Sequence, residues 1–202
     1  NTKFTNNTSP KGGGAVYTQD SVGNVNFTSN VFQNNSAYNG RGGALYHCHG
    51  ILIMTDNSFS GNKASINGGA IYIDSTQYPS VSYSKLYMDN STFTSNQATN
   101  YAGAIYDNGT LSVTSCTFTN NTASTISGGA ITNAQGVLNV TKSTFSGNKA
   151  PKHYGGGIYN YHGKVTLTYS KFTSNSAIKG GAYYNDGGSF IATSNTLKSN
   201  SP

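Results

Sequence analysis

The sequence predicts an all-β fold, a right-handed parallel β-helix (solenoid) of about seven coils, each with roughly 27 residues and three short strands. Two observations predict this class: two short motifs alternate along the whole chain, and apolar residues fall into columns when the copies are aligned. Composition agrees, because the 202 residues include 25 Gly and 15 Tyr but no Glu, which favours strands and turns over helices. We predict a single repeat domain over 1–202, with a longer loop near 74–85.

The first motif is Phe-x-x-Asn, which recurs at Phe-to-Phe steps of 28, 27, 34, 25, 27 and 27 residues. Its copies are Phe4–Asn7, Phe32–Asn35, Phe59–Asn62, Phe93–Asn96, Phe118–Asn121, Phe145–Asn148 and Phe172–Asn175, with a last copy at Leu197–Asn200. We predict that the phenylalanines form one buried column, because stacked coils place equivalent residues on one another. The asparagines are predicted to turn inward at a corner, where stacked amides bond to each other and to the turn backbone.

The second motif is Gly-Gly-Ala-aliphatic-Tyr, which lies between successive copies of the first. Its copies are Gly13–Tyr17, Gly42–Tyr46, Gly68–Tyr72, Ala102–Tyr106, Gly128–Thr132, Gly155–Tyr159 and Gly180–Tyr184. Paired glycines predict a corner with positive φ and close approach of the backbone. The aliphatic residue and the tyrosine that follows it point to opposite faces of a strand, so we expect the tyrosines to point outward.

Aligning the copies on their Phe exposes two more apolar columns, seven and five residues before it, and an Ala column five residues after it. Polar residues separate the first two columns, and this period of two is typical of a half-buried strand. Each coil therefore contains three predicted extended runs: Gly-Ala-Ile-Tyr, Leu-x-Val and Phe-x-x-Asn-x-Ala. No single run can bury its apolar face alone, whereas stacked copies can.

Charged residues make up only 9% of the chain, and the net charge of +6 comes from dispersed Lys and Arg. Because no basic stripe with interleaved aromatic residues is present, we expect no nucleic-acid partner. Weak binding to acidic glycans or anionic surfaces remains an alternative. No apolar run approaches the roughly 18 residues of a membrane helix, so we expect no span in this chain. The chain begins at Asn1 rather than Met, which favours a mature or excised product.

The two cysteines, Cys48 and Cys116, occupy different positions of the repeat, about two coils apart. Two coils correspond to roughly 10 Å along the axis, whereas a disulfide needs Cα atoms within about 7 Å. We therefore expect two buried thiols without a disulfide.

The interlocked Gly-Gly-Ala-Ile and Phe-x-x-Asn motifs resemble the repeats of chlamydial polymorphic outer membrane proteins. Copies such as Asn90–Asn96, which reads NSTFTSN, also resemble the adhesin-like proteins of methanogenic archaea. The resemblance covers nearly the whole chain and is specific for the repeat. It implies a right-handed β-helix exposed on a cell surface and used in adhesion, with no membrane span in this part.

The outward tyrosines are the first candidate surface, a stripe formed by Tyr17, Tyr46, Tyr72, Tyr106, Tyr159 and Tyr184. Flat stripes of Tyr can stack on sugars or pack against a partner protein. The alternative is that they only stabilise the sheet by stacking on their neighbours. The longer loop adds Tyr78 and Tyr83, since insertions in repeat arrays often lie on the binding face, although a tolerated surface loop is the alternative.

We expect no catalytic residue, no cofactor and no metal site. His47 and His49 share a strand as His-Cys-His, but no further ligand accompanies them. Glycoside hydrolysis commonly needs two carboxylates at a defined separation. Among the six Asp, only Asp74 and Asp107 fall on one side of neighbouring coils, with Asp186 on the same side of a later coil.

N-glycosylation sequons occur at eight asparagines: Asn6, Asn7, Asn26, Asn34, Asn90, Asn108, Asn120 and Asn139. They matter only in a host that glycosylates secreted proteins. The chain opens and closes near copies of one motif and shows no obvious cap, so we expect either a longer array or end-to-end stacking of copies.

From these observations we expect an extracellular or cell-surface β-helix repeat protein that acts as an adhesin-like or structural scaffold without catalysis. Its expected partners are a host or cell-surface protein or glycan, and further copies of itself. One alternative function is the subunit of an extracellular filament built by head-to-tail stacking. A second alternative is a polysaccharide-active enzyme, either a lyase or a glycoside hydrolase.

Overall fold

The computed structural model describes residues 1–19, 23–75 and 84–202, which form parallel strands joined by turns and contain no helix. Within these ranges the strands build four parallel sheets, one of eight strands and three of seven. The chain visits the four sheets in a fixed order and then begins the next coil. This arrangement confirms the predicted parallel β-helix of about seven coils.

Each sheet is named here for the residue that recurs in it. The strands of the Phe sheet are Lys3–Thr5, Val31–Gln33, Ser58–Ser60, Thr92–Thr94, Thr117–Thr119, Thr144–Ser146, Lys171–Thr173 and Thr196–Lys198. The strands of the Ala sheet are Thr8–Ser9, Ser36–Ala37, Lys63–Ala64, Gln97–Ala98, Thr122–Ala123, Lys149–Tyr154 and Ser176–Lys179.

The remaining two sheets carry the second motif and the two columns that precede each Phe. The strands of the Tyr sheet are Val16–Gln19, Leu45–Cys48, Ile71–Asp74, Ile105–Asp107, Ile131–Ala134, Ile158–Tyr161 and Tyr183–Asp186. The strands of the Leu sheet are Asn24–Thr28, Ile51–Thr55, Lys85–Asp89, Thr110–Thr114, Val137–Thr141, Lys164–Thr168 and Ser189–Thr193.

Four strands per coil, rather than the predicted three, is a correction to the sequence-based expectation. The run Phe-x-x-Asn-x-Ala is divided between the Phe sheet and the Ala sheet. The residue two positions after each Phe adopts a positive φ, for example 54° at Asn34, 63° at Gly61 and 55° at Ser95. A residue in this left-handed region bends the chain sharply, and Asn and Gly tolerate it best. The following Asn therefore lies in a corner and not inside a strand.

The phenylalanines form the predicted core column. Phe32, Phe59, Phe93, Phe118, Phe145 and Phe172 are fully buried. Their rings, with that of Phe4, stack at centroid distances of 4.6–4.8 Å and interplanar angles of 1–7°. These distances match the spacing of neighbouring strands, so each coil adds one ring to the stack. The residues of the Leu-x-Val columns and the aliphatic residues of the Tyr sheet complete the core.

The asparagine corner forms a ladder of amides, as predicted. At Asn62, the backbone N–H and the side-chain Nδ2 both donate to Oδ1 of Asn96, at 3.0 and 2.9 Å. The same Nδ2 donates to the carbonyl oxygen of Phe32 at 3.0 Å. Equivalent bonds join the other copies, so the buried amides are satisfied from coil to coil.

A second ladder, which was not predicted, lies at the corner between the Leu and Phe sheets. Its rungs are Asn30, Asn57, Ser91, Cys116, Ser143, Ser170 and Asn195. Cys116 takes the place of a Ser here: its backbone N–H donates to Ser143 Oγ at 3.1 Å, and its Sγ accepts from the Ser91 N–H at 3.4 Å. Cys48 and Cys116 are both buried and form no disulfide, as predicted.

Candidate functional site

The tyrosines of the second motif lie on the outer face of the Tyr sheet and stack from coil to coil. Alternation along each strand places the aliphatic residue in the core and the tyrosine opposite, as Ile71 and Tyr72 show. Successive ring centroids from Tyr17 through Tyr46 and Tyr72 to Tyr106 are 4.9, 5.0 and 4.9 Å apart. We call these four rings, with Tyr159 and Tyr184 above them, the tyrosine ladder.

Stacking changes what the tyrosine ladder presents to solvent. Tyr17 is 53% exposed, whereas Tyr72 and Tyr159 are only 6% exposed. The sequence-based picture of an open stripe of flat rings therefore needs a correction. From Tyr17 to Tyr106 the rings lie at the coil spacing, so Tyr46 and Tyr72 have a ring stacked against each face.

Charged groups border the tyrosine ladder at its edges. The guanidinium carbon of Arg41 lies 5.3 Å from the centre of the Tyr72 ring, a cation–π contact. The Tyr159 hydroxyl donates to Oδ2 of Asp186 at 2.8 Å, and the Tyr46 hydroxyl donates to Oδ2 of Asp74. Burial raises the pKa of Tyr106 to about 12. Burial is the larger cause that raises the pKa of Tyr46 and Tyr159, and the hydrogen-bonded carboxylates raise it further. These phenols therefore stay protonated at neutral pH.

The tyrosine ladder is interrupted in the fifth coil, where the motif ends in Thr132. In the register of the Tyr sheet, Thr132 lies between Tyr106 and Tyr159, and Ala134 lies beside Tyr161 of the next coil. Thr132 and Ala134 are 1% and 8% exposed and form a floor. Around it Tyr101, Tyr106, Tyr159 and Tyr161 enclose a cavity of about 120 Å³, which we call the notch.

Tyr101 belongs to the turn before the strand Ile105–Asp107 and leans over the notch. Its ring centroid is 6.1 Å from that of Tyr106 in an edge-to-face arrangement and 6.3 Å from that of Tyr159 in a near-parallel one. Tyr161, 42% exposed, lies 6.5 Å from Tyr159. Neither Tyr101 nor Tyr161 was predicted as a site residue, because neither belongs to a repeated column. The available signal was the single change from Tyr to Thr in the motif Gly128–Thr132.

Two of the predicted surface tyrosines, Tyr78 and Tyr83, lie in the segment 76–83, outside the described residues. The predicted loop near 74–85 can be placed only at its two ends. Asp74 ends a strand of the Tyr sheet, and Lys85 begins a strand of the Leu sheet.

The aspartates considered for catalysis do not converge. Asp107 pairs in register with Ile73, so its side chain points to the face opposite that of Asp74. The expectation that Asp74 and Asp107 fall on one side of neighbouring coils is therefore wrong. Asp186 pairs with Tyr161 and lies on the outer face, three strands beyond the strand of Asp107.

The inner face of the Tyr sheet carries a column that includes Asp107, Asn133, Asn160 and Asn185, aligned in register. We call these four residues the inner polar column. Asn133 Nδ2 donates to Asn160 Oδ1 at 2.7 Å, and Asn160 Nδ2 donates to Asn185 Oδ1 at 2.6 Å. Asp107 Oδ1 accepts the Gly109 N–H at 2.9 Å. Burial raises the pKa of Asp107 to about 7, although the hydrogen bond from the Gly109 N–H acts to lower it.

The histidines make local contacts. His47 Nε2 lies 3.1 Å from the Gly50 carbonyl oxygen and Nδ1 lies 2.8 Å from Thr18 Oγ1, so Nε2 carries the proton and Nδ1 accepts. Burial lowers the pKa of His47, which favours the neutral ring. His49 Nδ1 lies 3.3 Å from Cys48 Sγ. Within the described part of the chain, no three His, Cys, Asp or Glu side chains are grouped so as to hold a metal ion.

The sequon asparagines are mostly on the surface. Asn6, Asn7, Asn26, Asn34, Asn90 and Asn120 are exposed, while Asn108 and Asn139 are half-buried. Two of the exposed amides are engaged: Asn7 donates to Asn35 Oδ1 at 2.8 Å, and Asn90 donates to Asp56 Oδ1 at 2.6 Å. Accessibility thus differs among the eight, and glycosylation of each stays a prediction.

Comparison with known proteins gives one family. The model of the Chlamydia polymorphic membrane protein repeat matches residues 1–19, 31–47, 58–74, 90–108, 115–134 and 142–161, together more than half of the chain. Each matched segment runs from the Phe sheet to the Tyr sheet of one coil. No curated protein and no solved structure gives a significant match. The likeness to methanogen adhesins stays a prediction. Across the described ranges, no helix has the length and apolarity needed to cross a membrane.

Proposed function

Because this chain belongs to the Chlamydia polymorphic membrane protein repeat family, whose repeats and parallel β-helix fit a surface-associated protein, we propose that it is an adhesin-like scaffold without catalytic activity. It acts outside the cell, at the cell surface. The tyrosine ladder and the notch form its adhesive face, and the partner is a protein or glycan on another surface.

The tyrosine ladder is the observation that carries this proposal. Its phenol edges project from a rigid parallel sheet, and rigid amphipathic Tyr side chains lose little conformational entropy on binding. At the notch Tyr161 is 42% exposed, and Tyr101 and Tyr106 are half-buried, which leaves ring surface that a partner can bury. Tyrosine is enriched among the residues that dominate protein interfaces.

The proposal predicts adhesion that depends on exposed tyrosines of this face. Beads coated with the purified chain should bind to layers of cultured epithelial cells. Replacing Tyr17 and Tyr161 together by Ser should reduce the number of bound beads roughly tenfold, because truncating interface tyrosines removes a large part of the binding energy. Bead counts under a microscope after a fixed wash measure the effect.

A matched control uses two exposed tyrosines away from this face. Tyr38 and Tyr169 are 55% and 65% exposed, comparable to the 53% of Tyr17. Replacing this second pair by Ser should leave adhesion unchanged. Wild-type beads that bind no more than albumin-coated beads would refute the adhesive role, and equal losses from the two pairs would refute its assignment to the Tyr sheet.

The separation of the carboxylates supports a scaffold without catalytic activity. Asp74 and Asp107 point to opposite faces of one sheet, so they cannot flank one glycosidic bond. Incubating the protein with a panel of plant, bacterial and animal polysaccharides and measuring new reducing ends tests the point. Cleavage that is lost in Asp107→Asn or Asp74→Asn would contradict a purely adhesive role.

A further inference from the structure

The notch exists because one coil lacks two outward aromatic side chains. Thr132 replaces the tyrosine of the second motif, and Ala134 occupies the level below Tyr161. The strands that carry Tyr106 and Tyr159 are therefore separated by two strand spacings, about 9.6 Å, and the strand between them contributes only small side chains to this face. The ring of Tyr101 lies over the level of Thr132, 6.1 Å from Tyr106 and 6.3 Å from Tyr159, and the cavity of the notch is the space that it leaves.

The walls of the notch suit an occupant with flat faces and polar edges. Tyr101 and Tyr159 present near-parallel rings, with 19° between their planes, and Tyr161 adds a third ring at 23° to Tyr159. Each wall ends in a phenol hydroxyl, which both donates and accepts hydrogen bonds. These hydroxyls stay protonated near neutral pH, because burial raises the pKa of Tyr101, Tyr106 and Tyr159.

The size of the notch limits the occupant to one small ring. The cavity of about 120 Å³ is well below the roughly 300–1,000 Å³ of ordinary ligand pockets, which excludes a disaccharide or a helix. The occupant can protrude from the open side, where Tyr161 is 42% exposed. A single six-membered ring attached to a longer chain fits this description.

Charges of both signs lie near the notch, with the Asp186 carboxylate on the Tyr159 side and the Arg41 guanidinium on the Tyr106 side, so neither sign of ligand is favoured and a neutral occupant fits. Asp186 accepts the Tyr159 hydroxyl at 2.8 Å and so places a carboxylate at one side of the notch. An anionic sugar would meet this carboxylate, whereas neutral hydroxyl groups can bond to it. The net charge of +6 therefore does not favour acidic ligands at this position.

We infer that the notch binds one neutral pyranose ring of a surface glycan, with its C–H faces against tyrosine rings and its hydroxyl groups at the phenol rim. This inference rests on the adhesive function proposed above and names the ligand class. A pyranose matches the notch, because the sugar ring has two apolar faces edged by hydroxyl groups. An apolar side chain of a partner protein would leave the phenol hydroxyls without new partners.

The decisive variant is Thr132→Tyr, which restores the consensus of the motif and fills the notch. It should fold as the wild type does, because Tyr occupies the same position in the six other copies of the motif. The ring of Tyr101, which lies over this level, must then turn away from it. The probes are methyl glycosides of glucose, galactose and mannose, with sialic acid as the anionic comparison. Saturation-transfer NMR should show contact between the wild type and at least one neutral glycoside, and Thr132→Tyr should lose about tenfold or more of that affinity.

Two further variants separate filling of the notch from other effects. Thr166→Tyr adds the same side chain to the half-buried outer face of the Leu sheet and should leave binding unchanged. Tyr161→Ala removes one wall and should weaken binding about two- to tenfold. Circular dichroism and thermal unfolding confirm that each variant is folded.

The outcomes distinguish this inference from the proposed function. Beads of wild-type protein that adhere to cells while no methyl glycoside binds would overturn the pyranose site and leave adhesion standing. The same holds if Thr132→Tyr binds the glycoside as well as the wild type does, or if N-acetyl-leucinamide binds in preference to every glycoside. Two further probes are albumin conjugated to the tightest-binding glycoside and lipid vesicles that display the same glycoside. Binding to one or the other shows whether the glycan is recognised on a protein or on a membrane.

Discussion

At the scale of single residues, Asp107 occupies an unfavourable environment for its charge. The carboxyl group is fully buried, and among the described residues neither its Oδ2 nor Oδ1 of Asn133 has a hydrogen-bond partner. The two residues pair in register, so both unpartnered oxygens belong to adjacent levels of the inner polar column. Two acceptors cannot bond to each other, but a protonated carboxyl group can donate to the amide oxygen. A protonated Asp107 would therefore extend the amide ladder by one level.

This environment predicts stability that depends on pH. The pKa of Asp107 is raised in the folded protein to about 7 from 3.8, so the folded state binds the proton more tightly. Its contribution to the free energy of unfolding is complete below the unfolded pKa and is lost as pH rises towards the folded pKa. The loss is on the order of 4 kcal/mol between about pH 4 and pH 8.

Asp107→Asn isolates this contribution, since the amide donates permanently and does not titrate. The difference in unfolding free energy between variant and wild type, measured with urea, should grow as pH rises through this window. Comparison with the wild type at each pH removes the opposite effect of His47, whose lowered pKa makes protonation destabilising as pH falls below about 6.5. A difference that stays constant with pH would show that Asp107 is not protonated in the folded state.

At the scale of the structural element, the corner before the Tyr sheet depends on one backbone conformation. Its first glycine has φ between 58° and 75° in six coils: Gly13, Gly42, Gly68, Gly128, Gly155 and Gly180. In the fourth coil Ala102 adopts the same conformation, with φ of 59°. An L side chain in the left-handed region costs roughly 1–2 kcal/mol, so this copy of the corner is strained.

Ala102→Gly should therefore stabilise the protein. Relief of strain exceeds the entropy that glycine loses on folding, and we expect a net gain of about 1 kcal/mol and a rise in Tm of roughly 2–4 °C. Differential scanning calorimetry measures the change. Ala104→Gly is the matched control, because Ala104 is fully buried and has no positive φ, and it should lower Tm. A fall in Tm for both variants would show that Ala102 is not strained.

At the scale of the whole molecule, the coils form a quasi-one-dimensional array in which each level contacts its neighbours. The hydrogen bonds of the asparagine ladder join residues 25 to 34 positions apart, and the sheets pair each strand with the next coil. Stability is then approximately a sum over coils and the interfaces between them. A defect in a central coil weakens two interfaces at once.

Phe118→Ala tests this view of the array. The Phe118 ring is fully buried and stacks on Phe93 and Phe145 at 4.8 and 4.7 Å. Its loss should cost roughly 3–5 kcal/mol of unfolding free energy, measured with urea. Phe4 is only partly buried and stacks on Phe32, so Phe4→Ala should cost clearly less. Equal costs would mean that the stack is not the main source of core stability.

The sequence by itself determined the features that the repeat encodes in every copy. These are the parallel β-helix, the number of coils, the buried Phe column, the glycine corner and the asparagine ladder. Identical residues at a near-constant period must stack on one another when coils stack, so alignment of the copies reveals the register. Because the two motifs recur in nearly every coil, they are enough to identify the family.

Only the tertiary structure decided the features that depend on turn geometry or on a single coil. The positive φ two residues after each Phe creates the fourth sheet, and Tyr101 reaches the notch from a turn outside the columns. Asp74 and Asp107 differ by one position relative to the preceding glycine corner, and a shift of one residue moves a side chain to the opposite face of a strand. Residues that break the repeat thus acquire their roles only from the neighbouring coils against which they pack.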